Sequence, residues 1–364
     1  MRDILSTVDR WLLDGRQVAI AVVVRTWGSS PRGVGARMAF TREGEIAGSV
    51  SGGCVEAAVI EAGLRILKDE PPQVLHFDVA DETAWGVGLT CGGTLEVFVS
   101  RLEETTYGAL RNALEAQQPA CMITVIRGPG PLLGRALLVT QDGTTHGGLG
   151  REWDARAVAL AREGLERRAS QEFELADGIQ VFREVFPPQP SLILVGGVHV
   201  ATALVPLARI LGWRTILIDP RRAWADGRRF AQLDQLLQLW PQDAFGLLQL
   251  DQSTAVVTLT HDPKLDDAAL QIALRSQAFY IGALGSAGSQ EKRRARLSLA
   301  GLTEAELARL HAPVGLQIGA QSPEEIALAI MAQVISEYRR RPPGTRPVDK
   351  ASVPEMPVGS GVTR

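Results

Sequence analysis

Apolar positions recur along this chain with two periods, and the switches between them mark out its elements. Ile4, Val8, Trp11 and Leu12 share one helical face, and Asp14-Gly15 closes the pattern, so a short amphipathic helix is expected over residues 4 to 13. Val18-Ala19-Ile20-Ala21-Val22-Val23-Val24 then runs apolar over one strand length, which predicts a strand covered on both faces. A hairpin follows, with Ala36 to Phe40 and Ile46 to Val50 on either side of Arg42-Glu43-Gly44-Glu45. Val55, Ala58, Val59, Ala62 and Ile66 return to helical spacing. Val74 to Val79 and Thr94 to Val99 read as strands, separated by an irregular loop over 81 to 89.

The same pattern comes back later in the chain. Gly35-Ala36-Arg37-Met38-Ala39-Phe40-Thr41-Arg42-Glu43-Gly44, with Gly48 and Val50, aligns without gaps on Gly134-Arg135-Ala136-Leu137-Leu138-Val139-Thr140-Gln141-Asp142-Gly143, with Gly147 and Leu149. Each copy follows an apolar strand ending in arginine, Arg25 or Arg127, and precedes an alanine-rich helix. This predicts an internal repeat of strand, hairpin and helix. Where the first copy has Gly52-Gly53-Cys54, the second has Arg151-Glu152-Trp153, so the repeat does not explain the cysteine. Residues 171 to 185 add two expected edge strands, and Pro187-Pro188-Gln189-Pro190 reads as a linker.

Beyond the linker the pattern changes. Ser191 to Val195 is a buried-strand run, Gly196-Gly197-Val198-His199-Val200-Ala201 turns into a helix with Leu204, Leu207, Ala208 and Leu211 inward, and Thr215 to Ile218 is a second strand ending in Asp219-Pro220-Arg221-Arg222. Strand, glycine turn, helix, strand and terminal acid open a doubly wound nucleotide-binding fold. Val198 and Ala201 stand where the fingerprint has its second and third glycines, which weakens the case for a dinucleotide, so NAD(P) is not expected. Ala255 to Leu259 ends in Thr260-His261-Asp262, and Phe279 to Ile281 in Gly282-Ala283-Leu284-Gly285-Ser286. Lys292, Arg293, Arg294 and Arg296, on a helix from Gln290, read as a solvated face. Thr303 to Glu306 and Ser322 to Glu325 are capping boxes, and Ile326, Ile330, Val334 and Tyr338 line a last helix.

The expected fold class is therefore α/β: an N-terminal α/β domain with an internal strand-hairpin-helix repeat over 1–185, a Rossmann-like doubly wound domain over 186–340, and a disordered tail over 341–364. Composition narrows the partners. Among 364 residues, 38 Lys and Arg face 41 Asp and Glu for a net charge of −3, so neither nucleic acid nor a membrane surface is indicated. No apolar run is long enough to span a bilayer, and Met1 to Ser6 lacks the start of a secretory signal, so a cytoplasmic protein is expected. With 3 cysteines, no Cys-x-x-Cys and 5 scattered histidines, neither a disulfide framework nor a structural zinc site is expected. Cys121, in Ala120-Cys121-Met122-Ile123, reads as a buried small hydrophobe.

The candidate chemistry gathers at glycine turns. Gly48-Ser49-Val50-Ser51-Gly52-Gly53-Cys54-Val55-Glu56 delivers Cys54 to the first turn of a helix, whose positive end favours a thiolate suited to soft metal or sulfur chemistry. Cys91-Gly92-Gly93 leads into the Thr94 strand, and sequential strands tend to be neighbours, so the two cysteine turns are expected to face one crevice. Thr26 to Gly35 adds Arg32 in a loop whose composition suits an anion. In the second domain the groups at the carboxyl ends of the strands, Gly196, Gly197, His199, Asp219, Arg221, Thr260, His261, Asp262, Gly282, Gly285 and Ser286, form a candidate ligand crevice.

Together the Gly48 to Glu56 stretch, Cys91-Gly92-Gly93 with Glu96-Val97-Phe98-Val99, the Gly196 to Ala201 turn, Thr260-His261-Asp262, Phe279 to Ser286, His311-Ala312-Pro313-Val314-Gly315-Leu316 and Ile318-Gly319-Ala320 resemble the XdhC/CoxI family of xanthine dehydrogenase accessory proteins over most of residues 10 to 338. The resemblance implies a factor that binds molybdenum cofactor, guards it while a cysteine desulfurase supplies its sulfido ligand, and inserts it into a xanthine dehydrogenase-type molybdenum hydroxylase, without need of turnover. Cys54 and Cys91 would then contact the molybdenum or its sulfido ligand. Arg32, Ser51, Gly52, Gly53, Gly92, Gly93 and the strand-end groups would hold the molybdopterin, in mononucleotide or dinucleotide form. A homodimer is left open. The rival readings are an NAD(P)-dependent oxidoreductase using Cys54 or His261, and a sulfurtransferase carrying a persulfide on Cys54.

Overall fold

A computed structural model of the chain describes every residue except 29, 31, 54, 78–92, 231 and 341–364. The chain divides into two compact units, Met1–Pro187 and Pro188–Arg341. The irregular loop expected at 81 to 89 and the disordered tail expected over 341–364 lie outside the described residues.

In the first unit, α1 (Leu5–Leu13), β1 (Val18–Trp27), β2 (Arg37–Thr41), β3 (Ile46–Gly48), α2 (Glu56–Ile66), β4 (Gln73–Phe77) and β5 (Thr94–Arg101) are followed by the same series again. The second series is α3 (Glu104–Glu115), β6 (Ala120–Arg127), β7 (Ala136–Thr140), β8 (Thr145–Gly147), α4 (Asp154–Arg167), β9 (Gln171–Ala176) and β10 (Ile179–Phe186). Each series builds a five-stranded antiparallel sheet, in the orders β3-β2-β1-β5-β4 and β8-β7-β6-β10-β9. The duplication thus reaches beyond the strand, hairpin and helix seen in sequence to include α1 with α3, and β4 and β5 with β9 and β10. It also corrects the reading of residues 171 to 185 as two edge strands. β9 is an edge, but β10 pairs with β6 on one side and β9 on the other.

Details of backbone repeat as well. β1 bulges at Val24 in its pairing with β5, and β6 bulges at Ile126 in its pairing with β10. Gly48 and Gly147 both have φ of +78°, and a Cβ on either would stand 2.4 Å from a carbonyl oxygen, of Arg37 or Ala136, so each hairpin needs a glycine at its close. The bulged Val24 and Ile126 pack with Phe98 and Phe182 in one buried cluster shared by the two sheets. The opposite faces are covered by α2, through Val59 and Ile66 against Ala19, Ala21 and Val23, and by α4, through Ala157 and Ala161 against Cys121, Ile123 and Val125. Cys121 is fully buried there and burial pushes its thiol up to about 12, in keeping with a packing role. Arg25 reaches Glu172 and Arg127 reaches Glu96, each at 2.5 Å, so each copy lends its strand-end arginine to the other.

The second unit comprises β11 (Ser191–Val195), α5 (His199–Ile210), β12 (Arg214–Ile218), β13 (Gln235–Leu237), α6 (Pro241–Phe245), β14 (Thr254–Thr258), α7 (Pro263–Arg275), β15 (Tyr280–Ala283), α8 (Ala287–Leu299), α9 (Glu304–Leu307), β16 (Leu310–His311) and α10 (Pro323–Arg339). Its six strands are parallel in the order β13-β12-β11-β14-β15-β16, the doubly wound arrangement. Leu204 and Ala208 of α5 pack with Ile330 and Val334 of α10 on one face, while Leu270 and Leu274 of α7 cover the other. Burial of one such leucine contributes about 1.5–3 kcal/mol. Thr303 and Ser322 both complete capping boxes, with Glu306 and Glu325.

Two residues depart from expectation here. Leu211 stands at the C-cap of α5 and is 46% exposed, because the helix ends before it can turn inward. The basic helix begins at Ala287, and Lys292, Arg294 and Arg296 are exposed as a solvated face requires, Arg296 pairing with Asp267 at 2.5 Å, but Arg293 departs from that face and is buried against Asp266. Among the described residues, no helix is long and apolar enough to cross a membrane.

Candidate functional site

The pairing of the first sheet sends the chemistry-bearing connections out at one end. β1 runs to Trp27, which sits opposite Thr94 at the start of β5; β4 ends at Phe77 opposite Leu95; β3 ends at Gly48 opposite Met38 near the start of β2. The β1–β2 loop with Arg32, the turn from Ser49 to Gly53, and Gly93 ahead of β5 therefore share this end. Trp27 is 69% exposed there. Cys54, Cys91 and Gly92 lie outside the described residues.

Glycine lets this turn fold back on itself, with φ of +94° at Gly52 and +126° at Gly53. What occupies it is Glu56, the first residue of α2. Its carboxylate accepts the backbone N–H groups of Ser51 (2.9 Å), Gly52 (3.0 Å), Gly53 (2.9 Å) and Val55 (3.2 Å) and the hydroxyls of Ser49 (2.7 Å) and Ser51 (2.5 Å). Burial alone would raise the Glu56 carboxyl, but the Ser51 and Ser49 hydroxyls and the Ser51 and Gly52 N–H groups hold it well below the usual carboxylate range. The N–H groups of Ser51, Gly52 and Gly53, residues expected among the cofactor contacts, are therefore already taken by an internal carboxylate. In the second copy Asp154 does a smaller version of the same work, accepting from Leu149 at 2.7 Å and Gly150 at 3.1 Å. Arg32 is exposed, with its guanidinium 3.9 Å from the Asp3 carboxylate.

In the second unit the carboxyl ends of β11, β12, β14 and β15 converge on the switch point of the sheet, and part of the expected ligand set proves to be internal structure. Gly197 donates its N–H to Asp219 at 2.8 Å and accepts from Arg229 at 3.1 Å, and a Cβ there would stand 2.2 Å from the Trp224 carbonyl oxygen. The close approach that this glycine permits is made by the chain's own Trp224 segment. Asp219 is fully buried and also accepts the Arg221 N–H and guanidinium. Burial opposes its ionisation, yet Arg221 and the Gly197 N–H hold it below the usual carboxylate range. Gly197 and Asp219 are thus corrected from cofactor contacts to supports. Gly282 is corrected as well: it lies inside β15, where a Cβ would stand 2.5 Å from Val314.

Of the remaining groups His199, His261 and Ser286 are exposed, Arg221, Thr260, Asp262 and Gly285 are half-buried, and Gly196 is buried. Arg221, held by Asp219, keeps 36% of its side chain exposed and lies over the Trp224 ring at 5.3 Å. His199 opens α5, whose N-cap Val198 supplies no side-chain cap, whereas Asp262 caps α7 through Lys264 and Ser286 caps α8 through Ser289. Gly196, with φ of +109°, would place a Cβ 2.2 Å from Thr260, so the ends of β11 and β14 abut. Gly285, with φ of +142°, would place one 3.6 Å from the His261 Nδ1. Among the described residues, no group of three His, Cys, Asp or Glu is arranged to hold a metal ion.

Sequence reasoning gave Glu56 no role, read Arg293 as part of a solvated face and did not single out Asp266. Glu56 was visible as an acid at the first helical position after a glycine turn, and Asp266 as a charge inside the apolar stripe of α7, but their partners were not.

Fold and site define a two-unit α/β protein in which a duplicated unit with a Gly-Gly-Cys turn is joined to a Rossmann-type unit. Residues 192–334 match the XdhC Rossmann domain and residues 11–78 match the XdhC and CoxI family. The chain belongs to the XdhC and CoxI family. It is 27% identical over 340 residues to a probable xanthine dehydrogenase subunit of Bacillus subtilis, covering 92% of this chain and 97% of that protein. It is 25% identical over 337 residues to the molybdenum cofactor insertion chaperone PaoD of Escherichia coli, covering 92% and 88%. A crystal structure of a xanthine dehydrogenase from Bacillus halodurans shares the fold, with a TM-score of 0.74 at 24% identity over 94% of this chain and 98% of that one.

Proposed function

We propose that this chain is a cytoplasmic maturation factor that binds molybdenum cofactor as cargo, shields it during sulfuration by a cysteine desulfurase, and inserts it into a xanthine dehydrogenase-type molybdenum hydroxylase. Membership of the family and likeness to an insertion chaperone support this reading. The observation that carries it is internal: the same scaffold occurs twice, and only the first copy has Cys54 in its turn and a long connection bearing Cys91 between β4 and β5. The second copy has Trp153 and a tight turn at Asp177-Gly178 in those places.

The chemistry of the cargo suits the groups available. A thiolate binds soft molybdenum or meets a sulfido ligand, and Arg32, Arg221 and the uncapped start of α5 suit a phosphate. An NAD(P)-dependent reading would need Gly197 and Asp219 open to a dinucleotide, and both are engaged within the chain.

The test is co-expression with cofactor biosynthesis, followed by assay of the purified protein for molybdenum and pterin. Wild type retains both. Cys54→Ala and Cys91→Ala fold normally, retain less and activate a client hydroxylase poorly. A wild type without molybdenum or pterin overturns the reading, and two variants that load and deliver normally overturn the cysteine assignment. Mass spectrometry after incubation with a desulfurase and cysteine separates this from a persulfide carrier, which would gain a sulfur atom on Cys54.

A further inference from the structure

In the second unit a buried ion pair joins the loop after β14 to the loop after β15. Asp266, in the first turn of α7 and 1% exposed, accepts the Thr260 N–H at 3.3 Å, the Thr260 hydroxyl at 2.7 Å and the His261 N–H at 3.0 Å. Arg293 of α8, 3% exposed, donates to the same carboxylate at 3.1 Å and to the Leu284 carbonyl at 3.2 Å. Backbone after β14 is thereby tied to backbone after β15. Gln290 completes the link, accepting from Arg293 and donating to the Ala283 and Gly285 carbonyls at 3.2 and 3.3 Å.

This network holds one of four described residues other than glycine with positive φ. His261 has φ of +64°, in the left-handed region that residues other than glycine enter uncommonly, His with Asn and Asp more often than the rest, and such a conformation is held in place by its surroundings. The residue is exposed, so no packing of the imidazole explains the strain. Nor does the ion pair explain itself as a source of stability, since apolar residues of similar volume often serve a core as well as a buried pair does. Burial pushes the Asp266 carboxyl upward, against the pull of Thr260 and Arg293. Its hydrogen bonds, apart from the one to Arg293, go to Thr260 and His261, which lie where a doubly wound fold meets its ligand.

We propose that Asp266 and Arg293 are positioning residues for His261, fixing its left-handed backbone so that the imidazole stands in the crevice as a hydrogen-bonding contact for the phosphate-bearing pterin cargo. The identity of the cargo rests on the function proposed above; the positioning of His261 does not.

The experiment uses the full chain labelled at histidine with 13C and 15N, with and without co-expressed cofactor biosynthesis. His261→Asn tolerates the left-handed backbone, removes the imidazole and assigns the His261 signals among the 5 histidines. In Asp266→Asn the His261 Cα and imidazole signals move while those of the other histidines stay in place. Cargo retention falls by about tenfold, the loss of one charge-assisted contact, and the fall disappears when His261→Asn is already present. Unmoved His261 signals overturn the proposal, as does an equal loss of cargo in both backgrounds, which a merely structural pair would produce. Should Asp266→Asn not fold, Arg293→Lys, which keeps a cation beside Asp266 but loses the fork to Leu284, is read in the same way. A wild type that carries no pterin sinks the function and leaves the histidine signals to decide the positioning.

Discussion

The two halves of the first unit have one backbone design and different chemistry. Both build a five-stranded sheet in the same order, bulge at the same strand, close their hairpins on a glycine at φ +78° and lay a helix across the outer face. They diverge where the sheet ends in loops. The first copy has the glycine turn filled by Glu56 and a connection of 16 residues, 78–93, between β4 and β5; the second has Arg151-Glu152-Trp153 and joins β9 to β10 through Asp177-Gly178. Since the second copy keeps a glycine turn, with Gly150 at φ +123°, but folds without the cysteine and without the long connection, neither of those two is required by the scaffold, and they call for another explanation.

The largest expected effect comes from making the first copy like the second. Replacing residues 78–92 by Asp-Gly should leave the sheet intact, because β4 and β5 already pair antiparallel from Gln73 with Val99 to Phe77 with Leu95. Retention of molybdenum and pterin should vanish, with little change in the thermal melt. A variant that keeps its cargo would show that the insertion is not part of the site, and one that unfolds would show that it is part of the scaffold.

A smaller difference is expected where the helices meet the sheets. A Cβ on Gly63 of α2 would stand 2.2 Å from the Phe40 ring, whereas on Gly164 of α4 it would stand 2.7 Å from Cδ of the buried Arg183 and 3.1 Å from the Cys121 Sγ. Gly63→Ala should therefore cost about 2 kcal/mol by overpacking against a rigid ring, and Gly164→Ala somewhat less, because its contact is half an ångström longer and is with an aliphatic chain. Urea denaturation gives both values, and equal costs would mean that the two interfaces are equally stiff.

The smallest effect concerns acid. Because the Glu56 carboxyl is held below its unfolded value, its contribution is present above about pH 4.3 and fades as pH falls below that value. Melting temperatures of wild type should drop between pH 5 and 3 more than those of Glu56→Gln, by an amount limited by the partial exposure of the group. Equal slopes would mean that Glu56 does not hold the turn.

Much of this fold could be read from local pattern. The apolar run from Val18 to Val24, the helical spacing from Val55 to Ile66, the two capping boxes and the glycine-punctuated opening of the second unit all appear where the periods place them, because each depends on neighbours a few residues away. The duplication was legible at the hairpin, where glycines constrain the backbone, and faded at β4 and β5, whose partners in the second copy share strand pattern but few residues. Of the site, the turns were legible and their occupants were not. Gly197 and Asp219 have the spacing of a dinucleotide fingerprint, yet the segment that closes them, around Trp224, leaves no mark in that spacing.

The order of amino acids by itself determined where strands, turns and helix starts fall and that one scaffold is used twice, since periodicity and φ preference act within a few residues. Only the tertiary structure decided that β10 sits inside its sheet, that Asp219 is sealed beneath Arg221, and that Asp266 and Arg293 meet across two helices to hold His261. Those outcomes depend on groups 22 to 66 residues apart being brought within hydrogen-bonding reach, and a sheet or a buried ion pair forms only when the whole core closes around it.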